Sequence, residues 1–344
     1  MTDSTAAIDP LSRPIAELLA LVGADPDQFE TRVVGEMIRT SLKLLPDGAD
    51  SGQLKLMSAS LKEMRYAYRV FNRWRGVRKV SIFGSARTPP DHRDYVAARE
   101  FSASIASKGW MAITGGGDGI MKAGHEGPTR ASSFGLSIRL PFETTTNAVI
   151  EGDPKLITFR YFFTRKLMFL SHSDAVAVFP GGFGTHDELF EVLTLIQTGK
   201  SQLVPVILIE GAGGHYWTDW RRYLDQHLLG NGWISPEDPG LFHVATSIDD
   251  AVEHVLRFYR RFHSYRFVRS QLVMRLRAPL TEEELAVVNE EFNGLVAEGR
   301  IEQSSAFPEE SDHRELPRLH FNHTRRHYGV LRALIDRING FDLA

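Results

Sequence analysis

The chain contains no cysteine, which excludes disulfide bonds and thiol catalysis and fits a cytosolic protein. No apolar run approaches the ~18 residues of a membrane span. The N-terminus carries Asp3 and Asp9 and lacks the apolar core of a signal peptide, so the expectation is a soluble, unexported, cytoplasmic protein. Charge of one sign is missing too: 40 basic against 43 acidic residues leave a net −3. Such a balance gives no global attraction to nucleic acid or to an anionic membrane, and neither is expected as a partner. The standard nucleotide fingerprints are absent. No G-x-x-x-x-G-K-[ST] occurs, Gly115-x-Gly117 meets Ile120 where a third glycine belongs, and Gly182-x-Gly184 meets Asp187. P-loop and dinucleotide sites are therefore disfavoured. His320, His323 and His327 include an i, i+4 pair but no carboxylate in register. They read as polar surface rather than a zinc site, and neither metal nor other cofactor is expected. No internal repeat or low-complexity block stands out.

What is present is a 344-residue chain with 42% hydrophobic content, enough for one large packed domain with appendages. Residues 1–75 show helical periodicity, with a polar break at Pro46–Gly52 before a longer helix through Leu54, Leu61, Met64, Tyr68 and Phe71. Residues 76–263 alternate short apolar strands near 79–83, 110–114, 134–139, 174–179, 204–209 and 242–246 with helices, the last running from 248 to 262. That alternation predicts an α/β fold, a Rossmann-like, doubly wound, mostly parallel sheet. Residues 264–344 are expected to form a small α-rich extension, with a helix after the Thr281-x-x-Glu284 capping box and another over 328–338. The stretch Arg257–Arg269 interleaves bases with aromatics, a pattern that suits single-stranded nucleic acid but equally a helix with one aromatic face and exposed arginines. The balanced charge favours the helix.

The chemistry concentrates in Pro180-Gly181-Gly182-Phe183-Gly184-Thr185-His186-Asp187-Glu188. It lies between an apolar strand, Asp174–Phe179, and a helix whose core face is Leu189, Val192, Leu193 and Ile196. Glycines let the backbone approach a ligand, and a helix N-terminus offers free N–H groups to an anion. Thr185 is the expected N-cap, with Gly199 near the C-cap. Glu188 falls off the apolar strip and can face a ligand. A plain strand-to-helix connection with an ordinary first-turn acid gives the same letters. Two more glycine turns follow strands, however: Gly84-Ser85, and Gly115-Gly116-Gly117 with Asp118 as the default helix cap. Ligands of open α/β sheets sit at such strand C-termini. Ser85 is a weaker candidate for phosphate or base, because small residues belong in turns anyway.

The motif P-G-G-x-G-T-x-x-E, preceded 23 residues before its Glu by Arg165-Lys166 within Phe159–Lys166, resembles the Lonely Guy family of nucleoside 5′-monophosphate phosphoribohydrolases. The Gly115–Gly117 and Phe83-Gly84-Ser85 turns match as well, and the likeness covers roughly 77–262. Family members often carry the label lysine decarboxylase; nothing in the sequence suggests a pyridoxal phosphate site. The resemblance implies hydrolysis of the N-glycosidic bond of AMP or a cytokinin riboside monophosphate, with Glu188 and Arg165 catalytic. It implies a nucleotide seat formed by Gly84, Ser85, Gly115, Gly116, Gly117, Lys166, Gly181, Gly182, Gly184 and Thr185. It also implies a homodimer or higher homo-oligomer. Glu188 then serves as nucleophile, base or electrostatic stabiliser of an oxocarbenium-like state. His186-Asp187 and Phe163-Thr164 depart from the plant pattern of Leu-Glu and His-Glu, so the base pocket is expected to differ. The alternative is a non-catalytic nucleotide sensor or a carrier of a phosphorylated cofactor on the same fold.

Overall fold

The computed structural model describes residues 9–139 and 146–342. It resolves into two compact units that divide at Arg65/Tyr66. The first holds α1 (Ser12–Leu21), α2 (Phe29–Lys43) and most of α3 (Ser51–Phe71). There Ile15 is buried, and Ile15 and Leu19 of α1 face Gly35 of α2.

The second unit contains a seven-stranded sheet and everything after it. Its strands are β1 (Lys79–Phe83), β2 (Met111–Thr114), β3 (Ser133–Ile138), β4 (Leu156–Phe159), β5 (Ala175–Val178), β6 (Val206–Leu208) and β7 (Phe242–Val244). All pairings are parallel, in the order β4-β3-β2-β1-β5-β6-β7. The strands read as continuous apolar runs because both faces are covered. On one face Val80, Ile82, Ala175, Ala177 and Ile207 pack under α4 (Arg93–Ser107), α5 (Ile120–Glu126) and α9 (Ile248–Phe258). On the other, Phe83 meets Phe169 of α6 (Phe162–Ser171), and Phe134 stacks on Phe71. The helix α7 (Phe183–Gln197) follows β5, and α8 (Tyr216–Tyr223) follows β6.

Beyond α9 the expectation of an α-rich segment is corrected. The helix stops at Phe258 rather than 262, and β8 (Phe262–Val268), β9 (Gln271–Leu276), β10 (Val296–Ser304) and β11 (Arg318–His323) form an antiparallel sheet in the order β10-β11-β9-β8. Among the described residues here, the long helices are α10 (Glu282–Glu291), with the capping box of Thr281 and Glu284, and α11 (Tyr328–Gly340). The basic and aromatic stretch is thus mostly strand. Arg318 and Arg275 meet the buried Glu310 at 2.7 and 3.0 Å, pinning the loop before β11. His323 is buried at the end of β11 rather than exposed, and no cluster of three metal-ligating side chains occurs among the described residues. Nor is any helix of the described residues long and apolar enough to cross a membrane.

Candidate active site

The sheet order reverses at β1. From β1 the chain steps outward through β2, β3 and β4, then returns to lay β5 on the other side of β1. Such a reversal opens a crevice at the strand C-termini, and the three glycine turns meet there. Ser85 donates its amide to Pro180 O at 3.1 Å and accepts from Ile120 N–H at 3.0 Å, tying the turns after β1, β2 and β5 together. Above them lies a cleft of about 1490 Å³.

The glycines differ in why they are glycines. A Cβ on Gly84 would stand 2.6 Å from Ile120, and one on Gly181 would strike the Thr185 hydroxyl at 2.1 Å. Those two are demanded by packing. A Cβ on Gly182 or Gly184 would meet nothing within 4 Å, and neither residue has a left-handed φ. Neither packing nor backbone requires glycine there, so what they preserve is open space at the N-terminus of α7, where free amides favour an anion.

Local geometry corrects two capping expectations. Gly182, not Thr185, is the N-cap of α7, and Thr185 is the helix's third residue, buried with its hydroxyl against Gly181. Gly119, in a left-handed conformation, precedes α5, and no side chain of Asp118 caps it. Both turns bend through glycine, which leaves no place for a side-chain cap.

Gly84, Ser85, Gly115, Gly116, Gly117, Gly181, Gly182, Gly184, Thr185, Arg165 and Glu188 all line the one cleft. Lys166 does not. Its ammonium bridges Asp187 and Glu191 of α7, 2.8 Å from each, so the Arg165-Lys166 step puts one cation inside and uses the other to clamp α6 onto α7. Further residues line the cleft: Arg87, Ser137, Arg139 and Thr158, which the sequence reading did not single out as site residues, Arg160, which lies inside the Phe159–Lys166 run, and Met121, which fills the space over Gly115 and Gly117. Thr158 escapes sequence reading because β4 is only four residues long and flanked by charge.

Glu188 is only 5% exposed. Cβ vectors tilt toward a helix's N-terminus, so its carboxyl leans back toward the glycine turn. Burial pushes this carboxyl up to about 7, with Glu191 and Asp187 adding to the rise, against the pull of Arg165 and Lys166. Arg165 approaches it to 3.8 Å, near enough for attraction but beyond a hydrogen bond. The guanidinium lies over Phe162 and Phe169 and its Nε is buried without a hydrogen-bond partner. Burial also lowers the Arg165 pKa, while Glu188 and Asp187 hold its charge. Burial wins for the acid because one loosely engaged cation does not repay the lost hydration.

A relay steadies the turn. Gly181 O accepts from the Tyr216 hydroxyl at 2.6 Å, and that hydroxyl is 2.6 Å from His186 Nε2. A carbonyl only accepts, so the phenol proton goes to Gly181 and Nε2 carries the imidazole proton. Burial lowers the His186 pKa, consistent with this neutral tautomer.

Residues 118–255 match the model of a family described as possible lysine decarboxylase. No lysine is among the described residues lining the cleft, and a lysine is the amine a pyridoxal Schiff base uses. Over 175 residues, 50% of this chain and 90% of the relative, the chain is 29% identical to a cytokinin riboside 5′-monophosphate phosphoribohydrolase of Mycobacterium tuberculosis. It is also 29% identical over 167 residues to a protein of the same description from Arabidopsis thaliana, covering 46% of this chain and 73% of that one. Among solved structures, a molybdenum cofactor carrier protein of Chlamydomonas reinhardtii aligns with 53% of this chain and 97% of its own, at 21% identity and a TM-score of 0.38.

Proposed function

The α/β core belongs to the Lonely Guy family, and from that premise we propose that the protein is a nucleoside 5′-monophosphate phosphoribohydrolase. It splits the N-glycosidic bond of AMP or a cytokinin riboside monophosphate into free base and ribose 5-phosphate. The observation that carries this reading is Glu188. A carboxyl buried at a cleft floor and raised to about 7 costs stability, and a site that only held phosphate would gain nothing from a negative charge beside it.

The 5′-phosphate docks on the amides at the start of α7, beside Gly182 and Gly184. The sugar then lies over the junction of the three turns, with its anomeric carbon toward Glu188. As the C1′–N bond breaks, positive charge grows on the ribose and negative charge on the base. The carboxylate stabilises the first, whether electrostatically, as a base for water or as a nucleophile. Arg165 faces the second. Water adds to C1′ and the base leaves with a proton. His186 and Tyr216 hold the Gly181 peptide so that the phosphate seat is formed before the ligand arrives. Exposed Phe162, Phe163, Leu167 and Phe183, the last 97% exposed, ring this side of the molecule; they support pairing with a second copy as part of the same reading.

Incubation with AMP is expected to yield adenine and ribose 5-phosphate in equal amounts by chromatography. Tight AMP binding without base release would favour the non-catalytic alternative. Tyr216→Phe removes one hydrogen bond from the phosphate seat and is expected to raise KM about fivefold, the scale of ~1 kcal/mol, with kcat within about twofold. A drop confined to kcat in steady-state kinetics would show that the relay does not serve phosphate binding.

A further inference from the structure

Ser85 stands at the edge of the phosphate seat. A Cβ on Gly181 would lie 2.9 Å from the Ser85 backbone nitrogen, whose N–H already donates to Pro180 O at 3.1 Å. The Ser85 hydroxyl in turn accepts the backbone N–H of Arg87 at 3.1 Å. On the other side of this turn, a Cβ on Gly119 would strike Ser85 O and the Ala86 carbonyl carbon. The backbone carrying Arg87 is therefore held between the turns after β5 and β2, and Pro89 and Pro90 stiffen the chain just beyond it. Arg87 is exposed and lines the cleft. No hydrogen bond or ion pair occupies its guanidinium among the described residues.

The amides at the start of α7 offer only partial charge, whereas a phosphate monoester carries about −1.5 to −2 at neutral pH, and the chain itself is net −3. A full cation at the seat is called for. Lys166 does not supply it, because Asp187 and Glu191 hold its ammonium at 2.8 Å each. Arg165 lies over Phe162 and Phe169 and 3.8 Å from Glu188, which commits it to the glycosidic end. Arg87 is placed differently. Its turn follows β1, the immediate neighbour of β5, so it begins one strand interval, ~4.8 Å, from the turn that holds the amides. An arginine side chain spans that gap.

Resting on the nucleotide reading above, we propose that Arg87 is the counter-charge of the 5′-phosphate, closing over it from the β1 side, and that this contact makes the site prefer a nucleoside 5′-monophosphate to the bare nucleoside. A guanidinium fork matches phosphate oxygens in bidentate geometry. The amides fix where the phosphate sits, and Arg87 supplies the charge.

The test is calorimetric titration of Glu188→Gln, which removes turnover, with AMP and with adenosine at about pH 8, where the phosphate is a dianion. Adding Arg87→Gln is expected to weaken AMP binding about 10-fold, the scale of one charge-assisted hydrogen bond, and to change adenosine binding by less than about twofold. Arg87→Lys keeps the charge without the fork and is expected to hold AMP to within about threefold of the arginine form. The side chain is exposed, so folding is not at stake. AMP affinity indifferent to Arg87→Gln, an equal loss for AMP and adenosine, or a lysine variant no better than the glutamine one would overturn the assignment. Base release from AMP by the parent chain is read separately. Hydrolysis with no dependence of AMP binding on Arg87 refutes the counter-charge alone, and Arg87-dependent binding without hydrolysis refutes the hydrolase reading alone.

Discussion

Glu188→Gln is expected to slow base release from AMP by at least ~10²-fold, the scale of a positioned acid–base or electrostatic group, while nucleotide binding survives. Glutamine keeps the volume and the hydrogen-bonding end but not the charge, and each role open to Glu188 uses its ionised form. The same reasoning fixes the pH dependence of the parent. Burial holds the carboxyl near 7, so kcat/KM should rise with pH through that region and level off above it. The variant should also gain stability in a definite window. A carboxyl raised in the folded state binds its proton more tightly than in the unfolded chain, so its penalty is absent below about 4, grows as pH rises through the folded value, and is complete above 7. Removing it should stabilise the protein on the order of 3 kcal/mol above pH 7 and leave the melting temperature at pH 4 unchanged. Undiminished base release, or a variant less stable at pH 8 than its parent, would show that Glu188 is a structural acid.

Arg165→Met is the second large effect. The methionine retains apolar contact with Phe162 and Phe169, which flank the guanidinium, but removes the cation 3.8 Å from Glu188. Loss of base release by about 10²-fold is expected from the missing charge at the leaving base. A second consequence separates Arg165 from a merely structural arginine. It is the first attractive charge holding the Glu188 carboxyl down against burial, so without it the carboxyl rises further and the ascending limb of the pH profile moves to higher pH. A pH–rate profile of the variant measures both. An unchanged limb would mean that Arg165 does not act on Glu188, and an unchanged rate that it does not act on the substrate.

The core was legible because its signals are local. Six strands announce themselves as apolar, β-branched runs broken by glycine, and the turn between Phe179 and Leu189 carries its own helix start. The rest depends on distance. Nothing near Lys166 in sequence says that Asp187 and Glu191 claim its ammonium, and only the packing of α6 on α7 turns Arg165 inward instead. The strand β4 is four residues between Lys155 and Arg160, too short for periodicity to register, and with it went Thr158. The strands after Phe262 hid because alternating arginine and aromatic residues satisfy a helix face and a strand face alike. Arg261 and Arg318, which sequence would leave in water, are buried on Glu284 and Glu310, partners that no spacing rule connects.

The central claim is that a 5′-phosphate on the Gly182–Gly184 amides presents the anomeric carbon to residue 188. A crystal structure of Glu188→Gln with AMP measures this directly. The account predicts phosphate oxygens within hydrogen-bond reach of those amides, and C1′ within ~3.5 Å of the side chain at position 188. Phosphate bound elsewhere in the cleft, or C1′ turned away from that side chain with the base over it instead, would contradict it.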